Sequence, residues 1–494
     1  MKTESLKEIA VSSIFWTVIQ KYTMLIVNFL SSIVLARLLT PYDYGCIGML
    51  EIFITISTIM IDSGLGSALL QKKRPTPEDY STIFYWNLVL SIIIYFILFF
   101  CAPMIGRFYN ISILTKILRI QGIILLINAL KMIPSNQLRK QFLFKPMAII
   151  TISSSIISII VTVIMAYNGF GVWALVTQNL LIAALPMLGF WMITKWIPSL
   201  VFSKKSFHEL FKFGIFMLLT SVITRLSSNI QGLLIGKIYT ANTMGYYAKA
   251  KSTEGLASNG ISQVLTVVTY QLYAEVQDNL EMLANILKRI TMCIAYLSFP
   301  LIISLMIIAR PMFVLLYSEK WLQSVPYFQI LAFASFAICM QSVNLQAIAA
   351  IGKSKTMFIW TTIKQIINII CIVGGLLLFG IKGLLVGMVI SEWIAYFINA
   401  WLVSKYIKYS LKKQAMNIFP ILLISLVSAL LSYSFIYFFH FETYADAFMK
   451  LICFVTIYLL VSIILKIEAY NYCLGLLPIF INKIRNKNIL TLQK

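Results

Sequence analysis

The chain has 494 residues, of which 60% are hydrophobic and only 12% are charged, and its mean hydropathy is +0.89. A soluble globular domain carries about 25% charged residues, so this composition excludes a soluble protein and indicates a polytopic membrane protein. The formal net charge of +23 is explained by lysines and arginines in cytoplasmic loops, and we expect no nucleic-acid partner. The seven cysteines are scattered without a CxxC motif or a Cys/His cluster, so no metal site or disulfide framework is predicted.

Apolar segments recur along the whole chain, each close to the length of about 20 residues that crosses a bilayer. They predict an all-α fold with about fourteen transmembrane helices. The predicted spans are 13–36, 44–70, 81–105, 117–133, 146–167, 171–194, 213–238, 244–270, 289–316, 325–350, 357–379, 383–404, 416–438 and 447–466. Lysine and arginine concentrate in alternate loops, and the positive-inside rule then places both termini in the cytoplasm.

A repeat divides the chain. Residues 35–45 read LARLLTPYDYG, and residues 235–245 read IGKIYTANTMG, each at the end of an apolar span. In the same order, KPM at 145–147 resembles KTM at 355–357. Spans 1–6 and 7–12 are therefore two copies of one unit in the same orientation, related by a pseudo-twofold axis along the membrane normal. The predicted domains are an N-lobe at 1–200, a C-lobe at 201–410, and two appended helices with a basic tail at 411–494.

Charged residues interrupt four of the spans. An ionised side chain near the middle of the membrane costs at least about 2.5–3.5 kcal/mol if it faces lipid, so these side chains must face one another or a polar cavity. The first two helices of each copy are therefore predicted to line a common cavity. Its candidate substrate-binding cations are Lys21, Arg225, Lys249 and Lys251, and its carboxylates are Glu51, Asp62 and Glu254.

Each charge has two interpretations. The cations can hold an anionic substrate, for which arginine offers bidentate contact and lysine a point charge, or they can form internal ion pairs. For Lys251 and Glu254, three residues apart on one helix, the internal pair is at least as good an interpretation. The carboxylates are either coupling sites for H+ or Na+ or simple neutralising partners. Arg37 and Lys237, in the repeated motif, are predicted at the outer face as a gate or as anchors of the turns, and Lys131 is interpreted as snorkelling to the inner interface.

Several segments resemble a known family. Residues 35–45, then DSGLGSALLQ at 62–71 and YSTIFYWN at 80–87, with GVWALV at 171–176 and GYYA at 245–248, resemble the Wzx-type flippases of the polysaccharide-transport family. That family belongs to the multidrug/oligosaccharidyl-lipid/polysaccharide exporter superfamily, and the chain is most similar to its colanic-acid and teichuronic-acid exporter branch. The resemblance covers essentially the whole chain.

The resemblance implies two six-helix lobes in a V, with helices 1, 2, 7 and 8 around a central cavity. It implies flipping of an undecaprenyl-pyrophosphate-linked oligosaccharide across the inner membrane of a bacterium by alternating access. Lys21, Arg225, Lys249 and Lys251 would by analogy contact the pyrophosphate. Helix 2 carries Glu51 and Asp62 where lipid II flippases carry a cation, which leaves the energy coupling open.

We expect a transporter without catalytic residues or a cofactor, with possible H+ or Na+ coupling, acting as a monomer. Its expected partners are the lipid-linked oligosaccharide, membrane lipids and polysaccharide polymerase or glycosyltransferase machinery. Three alternatives remain at this point: an ion-coupled multidrug antiporter of the same superfamily, an uncoupled lipid scramblase, and a membrane-embedded polysaccharide polymerase or ligase. The basic cavity disfavours a cationic drug, and the short outer loops disfavour an enzyme, for which His440 near Glu442 and Asp446 is the remaining candidate.

Overall fold

A computed structural model describes residues 3–437 and 443–474 of the chain. Apart from a short 3-10 turn at Glu319–Trp321, the elements assigned in these ranges are α-helices. In chain order they are α1 (Thr3–Leu38), α2 (Pro41–Asp62), α3 (Leu65–Gln71), α4 (Pro77–Phe108), α5 (Ile113–Gln121), α6 (Ile123–Lys140), α7 (Phe144–Tyr167), α8 (Val172–Thr194), α9 (Lys204–Ile238), α10 (Ala241–Glu275), α11 (Leu280–Ile307), α12 (Ala309–Tyr317), α13 (Ser324–Ala350), α14 (Ser354–Ile407), α15 (Leu411–Tyr437) and α16 (Thr443–Ile464).

Eleven segments of the described chain are long and apolar enough to cross a membrane. One of them, Lys355–Ile407, has 53 residues and contains a break at Phe379 and Gly380, so it comprises two membrane-length helices. Helices α9 and α10 have 35 residues each, well above the roughly 20 needed to span a bilayer. The predicted all-α polytopic fold is confirmed, and the helices follow one another along the chain in the predicted order.

The repeated motif provides helix N-caps at equivalent positions. The Thr40 side chain accepts from the Asp43 backbone N–H at 3.4 Å, and the Asp43 carboxylate accepts from the Thr40 N–H at 2.9 Å. This capping box, with Pro41 at the first helical position, fixes the start of α2. In the second copy, the Thr240 hydroxyl accepts from the Thr243 N–H at 3.2 Å at the start of α10. The motif therefore encodes a sharp turn between two long helices.

Helix α2 ends earlier than the predicted span 44–70. Ser63 and Gly64 both have positive φ, 48° and 69°, and they separate α2 from the short helix α3. Glycine adopts this conformation without steric penalty, and Ser63 is stabilised by its backbone N–H, which donates to the Ile59 carbonyl at 2.9 Å. The break turns the DSGLG segment into a bend that brings α3 back against the bundle.

The chain divides into two compact units, residues 1–249 and 250–494. The first contains α1 to α9 and the opening turns of α10, and one of its cores forms around Phe84, Ile133 and Leu210. The second contains the rest of the described chain, with a core that includes Phe299 packed edge-on against Phe336 at 4.9 Å between ring centroids. The predicted lobe boundaries at 200 and 410 derive from the sequence repeat and stay a prediction.

Candidate functional site

Within the first unit, the two copies of the repeated motif contact each other through glycines. A Cβ built on Gly45 would overlap the carbonyl oxygen of Ala241, and a Cβ built on Gly245 would overlap the carbonyl oxygen of Pro41. The contact is reciprocal, since each glycine faces the first residue of the other copy's helix. The first turns of α2 and α10 therefore cross backbone to backbone, at a distance that only glycine permits.

Lys249 lies on α10, one turn beyond Gly245. It is 2% exposed, and its Nζ donates to the Ser32 carbonyl at 3.0 Å and to Ser32 Oγ at 2.7 Å. The ammonium also lies 5.3 Å from the centroid of the Tyr44 ring, a favourable cation–π distance. In this conformation Lys249 is enclosed by α1 and α2, so its predicted role as a substrate-binding cation requires these helices to separate.

Lys21 and Arg225 differ from Lys249 because both side chains are exposed. Arg225, on α9, interacts electrostatically with Glu51 on α2, and α2 and α9 pack against each other. Lys21 has no hydrogen bond or ion pair in the part of the chain that the structure describes. The sequence predicts Glu51 opposite the cations in general, and in the structure Arg225 is the cation whose charge acts on it.

Lys251 and Glu254 belong to the second unit. Lys251 Nζ lies 3.0 Å from Glu254 Oε2, and the Glu254 side chain is 1% exposed. Its other carboxylate oxygen accepts from Ser335 Oγ at 2.6 Å. The two residues form the internal ion pair that was one of the two interpretations of the sequence, and Ser335 on α13 is a further partner that sequence reasoning missed. Whether Lys251 also contacts substrate stays a prediction.

Glu392 and Lys364 extend the polar interior of the second unit. Glu392 Oε2 accepts from Gln341 Nε2 at 2.6 Å, and Lys364 Nζ donates to Asn399 Oδ1 at 2.9 Å. Glu392 also interacts electrostatically with Lys251. Charges of both signs in this unit therefore interact with one another, as the high energy of isolated charges in lipid requires.

Lys237 and Arg37, the two residues predicted at the outer face, lie at the ends of α9 and α1. Lys237 Nζ donates to the Phe108 carbonyl at 2.7 Å and lies 4.4 Å from the centroid of the Phe108 ring. Lys237 therefore ties the end of α9 to the end of α4, which is the anchoring role considered for it. Arg37 is exposed at the end of α1. A gating role for either residue stays a prediction.

Asp62 does not join these clusters. Its Oδ1 accepts from the Gly66 N–H at 3.3 Å, and the side chain lines a cavity of about 460 Å³ inside the first unit. Eight residues of α6 line the same cavity. Four of them, Asn128, Lys131, Ser135 and Arg139, form a polar stripe. Their spacing of three, four and four residues marks one face of a helix, and this stripe, which includes Lys131, is visible in the sequence.

His440, Glu442 and the basic tail from Lys483 to Lys494 lie outside the described residues. His208 is exposed near the start of α9. No group of three or more His, Cys, Asp or Glu residues with the arrangement of a metal site occurs within residues 3–437 and 443–474.

Comparison with known proteins agrees with this architecture. The teichuronic acid biosynthesis protein TuaB of Bacillus subtilis is 25% identical over 431 residues, covering 85% of this chain and 87% of that protein. The lipopolysaccharide biosynthesis protein WzxC of Escherichia coli is 23% identical over 420 residues, covering 82% and 84%. The structure of the lipid II flippase MurJ in an inward closed conformation matches with a TM-score of 0.74 at 17% identity, over 92% of this chain and 99% of that one. The polysaccharide biosynthesis protein family model matches residues 34–326, more than half of the sequence, and the chain belongs to that family.

Proposed function

We propose that this protein flips a lipid-linked oligosaccharide across the bacterial inner membrane. Its carrier is an undecaprenyl pyrophosphate, and the glycan moves from the cytoplasmic to the periplasmic leaflet by alternating access. The family, the polytopic helical fold and relatives named for teichuronic acid and lipopolysaccharide biosynthesis support this proposal. Both termini are proposed to be cytoplasmic, and glycosyltransferase and polymerase enzymes are the proposed partners of a monomeric transporter.

One observation carries the proposal: Lys21 is an exposed ammonium within a membrane-spanning helix. It lies nine residues into the candidate span Ser12–Leu38, which is about 14 Å along a helix. No acid in the described residues forms an ion pair with it. An unpaired charge at such a depth is unfavourable by several kcal/mol, and an anionic ligand such as a pyrophosphate would stabilise it. Arg225 offers a second cation in the same unit, only partly compensated by Glu51.

The coupling of transport to an ion gradient is part of the same proposal. Glu51, Asp62 and Glu254 are the candidate carboxylates for H+ or Na+ coupling. Glu51 is the best candidate, because Glu254 already accepts hydrogen bonds from Lys251 and Ser335 and Asp62 lines a cavity together with Lys131 and Arg139. A carboxylate that alternates between a cationic neighbour and a proton or Na+ would couple binding of substrate to release of the ion.

The test uses cells in which the gene is deleted and supplied on a plasmid. Lys21→Ala and Arg225→Ala should each reduce surface polymer strongly at normal protein levels, while Lys116→Ala, an exposed lysine outside the charged clusters, should leave it unchanged. Normal polymer with both Lys21→Ala and Arg225→Ala would refute the role of the cations. Flipping of a fluorescent lipid-linked oligosaccharide in proteoliposomes, with and without an ion gradient, separates coupled transport from uncoupled scrambling.

A further inference from the structure

The cavity beside Asp62 is separate from the cations of α1, α9 and α10. It lies wholly within the first unit, where the end of α2, α3, α4 and α6 meet, and has a volume of about 460 Å³. Asp62 and Arg139, at its rim, are exposed, and Asn87, at its wall, is 1% exposed. The cavity is thus open at one side and enclosed by protein at the other, which is the usual shape of a small-ligand pocket.

One wall of the cavity holds acceptors without donors. Asn87 Nδ2 donates to Met132 Sδ, but Asn87 Oδ1 is buried and has no hydrogen-bond partner within the described residues. Asp62 Oδ1 accepts from the Gly66 N–H at 3.3 Å, and no hydrogen bond to its Oδ2 occurs within residues 3–437 and 443–474. The buried Asn87 oxygen is unfavourable without a partner, and the exposed Asp62 carboxylate can accept further hydrogen bonds. This wall is therefore complementary to a ligand that donates O–H or N–H groups.

The α6 side of the cavity holds cations without acids. Neither Lys131 nor Arg139 forms an ion pair or a side-chain hydrogen bond within the part of the chain that the structure describes. The two residues face the same cavity two turns apart on one helix. With two cations and the single carboxylate of Asp62, the groups that line the cavity carry a net positive charge. The ligand is therefore expected to carry an anionic group as well.

The wall between these groups is held rigidly. Gly66 donates its N–H to Asp62, and its carbonyl accepts from Asn136 Nδ2 at 3.3 Å. A Cβ at Gly66 would be too close to the Asp62 and Met132 side chains, so the bend after α2 is packed directly into the cavity wall. Asn136 is 5% exposed. The polar groups are therefore pre-positioned before a ligand enters, which reduces the entropy lost on binding.

These features together select one ligand chemistry. A pyrophosphate has acceptors but no donors at neutral pH and would face the oxygens of Asp62 and Asn87 unfavourably. A metal cation or proton would be repelled by Lys131 and Arg139. An acidic sugar satisfies both sides, because its ring hydroxyls donate to the acceptors while its carboxylate binds the cations through charge-assisted hydrogen bonds.

We propose that the cavity lined by Asp62, Asn87, Lys131 and Arg139 is a subsite for an acidic sugar of the transported glycan. This inference rests on the proposed function, since it deepens the identity of the substrate. It assigns the glycan headgroup, rather than the pyrophosphate, to this cavity, which Lys21 and Arg225 do not line. A zwitterionic phospholipid headgroup is the competing ligand, and it is less favoured because it lacks the ring hydroxyls that match an asparagine-rich wall.

The test is equilibrium binding to the purified full-length protein in nanodiscs, measured by saturation-transfer NMR titration with D-glucuronate, D-glucose and phosphoethanolamine. Glucuronate should bind at least about tenfold more tightly than glucose, the factor expected for one charge-assisted interaction. Lys131→Met and Arg139→Gln should each remove most of that preference. Asn87→Leu should weaken both sugars alike, and the control Lys116→Met should change neither.

Each result decides the matter. Equal affinity for glucose and glucuronate, or an unchanged preference in Lys131→Met and Arg139→Gln, overturns the proposal. So does tighter binding of phosphoethanolamine than of glucuronate, which would identify a lipid site, and so does an absence of sugar binding. None of these outcomes bears on surface polymer in the deletion strain, so a failed subsite is distinguishable from a failed transporter assignment.

Discussion

The glycine contact between the repeated motifs makes a sharp prediction about conformational change. Replacing Gly45 by alanine places a methyl group against the Ala241 carbonyl oxygen, a backbone atom that cannot rotate away. Forcing a methyl group into a packed contact costs about 1–3 kcal/mol. The ratio of the conformation described here to one in which α2 and α10 are apart should therefore fall by roughly 5- to 150-fold. By reciprocity, Gly245→Ala should act in the same way through Pro41.

The native Cys46 is a probe at this contact. It follows Gly45 directly and is fully buried, so its thiol should react with a membrane-impermeant maleimide only when the packing around the start of α2 opens. In a variant that keeps Cys46 and replaces the other cysteines, Gly45→Ala should raise the labelling rate by roughly 5- to 150-fold. Gly374→Ala is the matched control, because no atom lies within 4 Å of a Cβ at Gly374.

Two results would refute this reasoning. Labelling of Cys46 at the same rate in Gly45→Ala and in the parent, with an unchanged melting temperature, would show that the contact does not restrain the helices. Equal increases in Gly45→Ala and Gly374→Ala would show a general loosening. In the Gly45→Ala/Gly245→Ala double variant the two effects should be less than additive, because both methyl groups force apart the same pair of helices.

Three further predictions follow from the charged residues. Lys249→Met replaces a buried ammonium with an apolar side chain of similar length, so the melting temperature should stay equal or rise while polymer export falls. If the melting temperature and export fall together, Lys249 has a structural role instead. Lys251→Met leaves Glu254, 1% exposed, with Ser335 as its remaining described partner, and it should lower the unfolding free energy by about 1–3 kcal/mol. The double variant Lys251→Met/Glu254→Gln should recover most of the lost stability. If it recovers none, the ion-pair explanation is contradicted. In the helical segment 468–474, the Tyr472 hydroxyl and then the Lys288 ammonium hold the pKa of Glu468 below its usual range. The resulting stabilisation is present above the ordinary glutamate pKa of about 4.3 and is lost as the pH falls through the lowered value. Hydrogen exchange of residues 468–474, corrected for intrinsic rates, should therefore increase in acid in the parent and be insensitive to pH in Glu468→Gln.

Hydropathy and the repeat were enough to predict the membrane helices and their order, because both are properties of the local sequence. The turn after α1 was similarly accessible, since Thr40, Pro41 and Asp43 form a recognisable N-cap. The break at Ser63 and Gly64 was missed, although a Ser-Gly pair is a recognised turn signal. Continuous apolar character across residues 44–70 outweighed that local signal.

Partners of charged side chains were harder to predict, because they depend on tertiary packing. Lys249 and Lys251 look alike in the sequence, yet one is buried against Ser32 and the other pairs with Glu254. The helical face of α6 that includes Lys131 was a sequence signal of the same kind as the stripes on the other helices. It was discounted because a lysine near a helix end can snorkel, and only the packing of α2, α3 and α4 around it reveals a cavity.

The glycine contact and the buried Lys249 together suggest how opening and substrate binding are linked. Gly45 and Gly245 hold α2 and α10 together backbone to backbone, and the Met244 side chain of α10 packs against Gly48 of α2 beside them. Lys249 lies one turn from that contact and donates to Ser32 on α1. Parting of the helices would expose its ammonium, and a charge exposed within the membrane needs an anion. An anionic substrate that reaches Lys249 would therefore stabilise the separated conformation, and in its absence the ammonium returns to Ser32 and the glycines close.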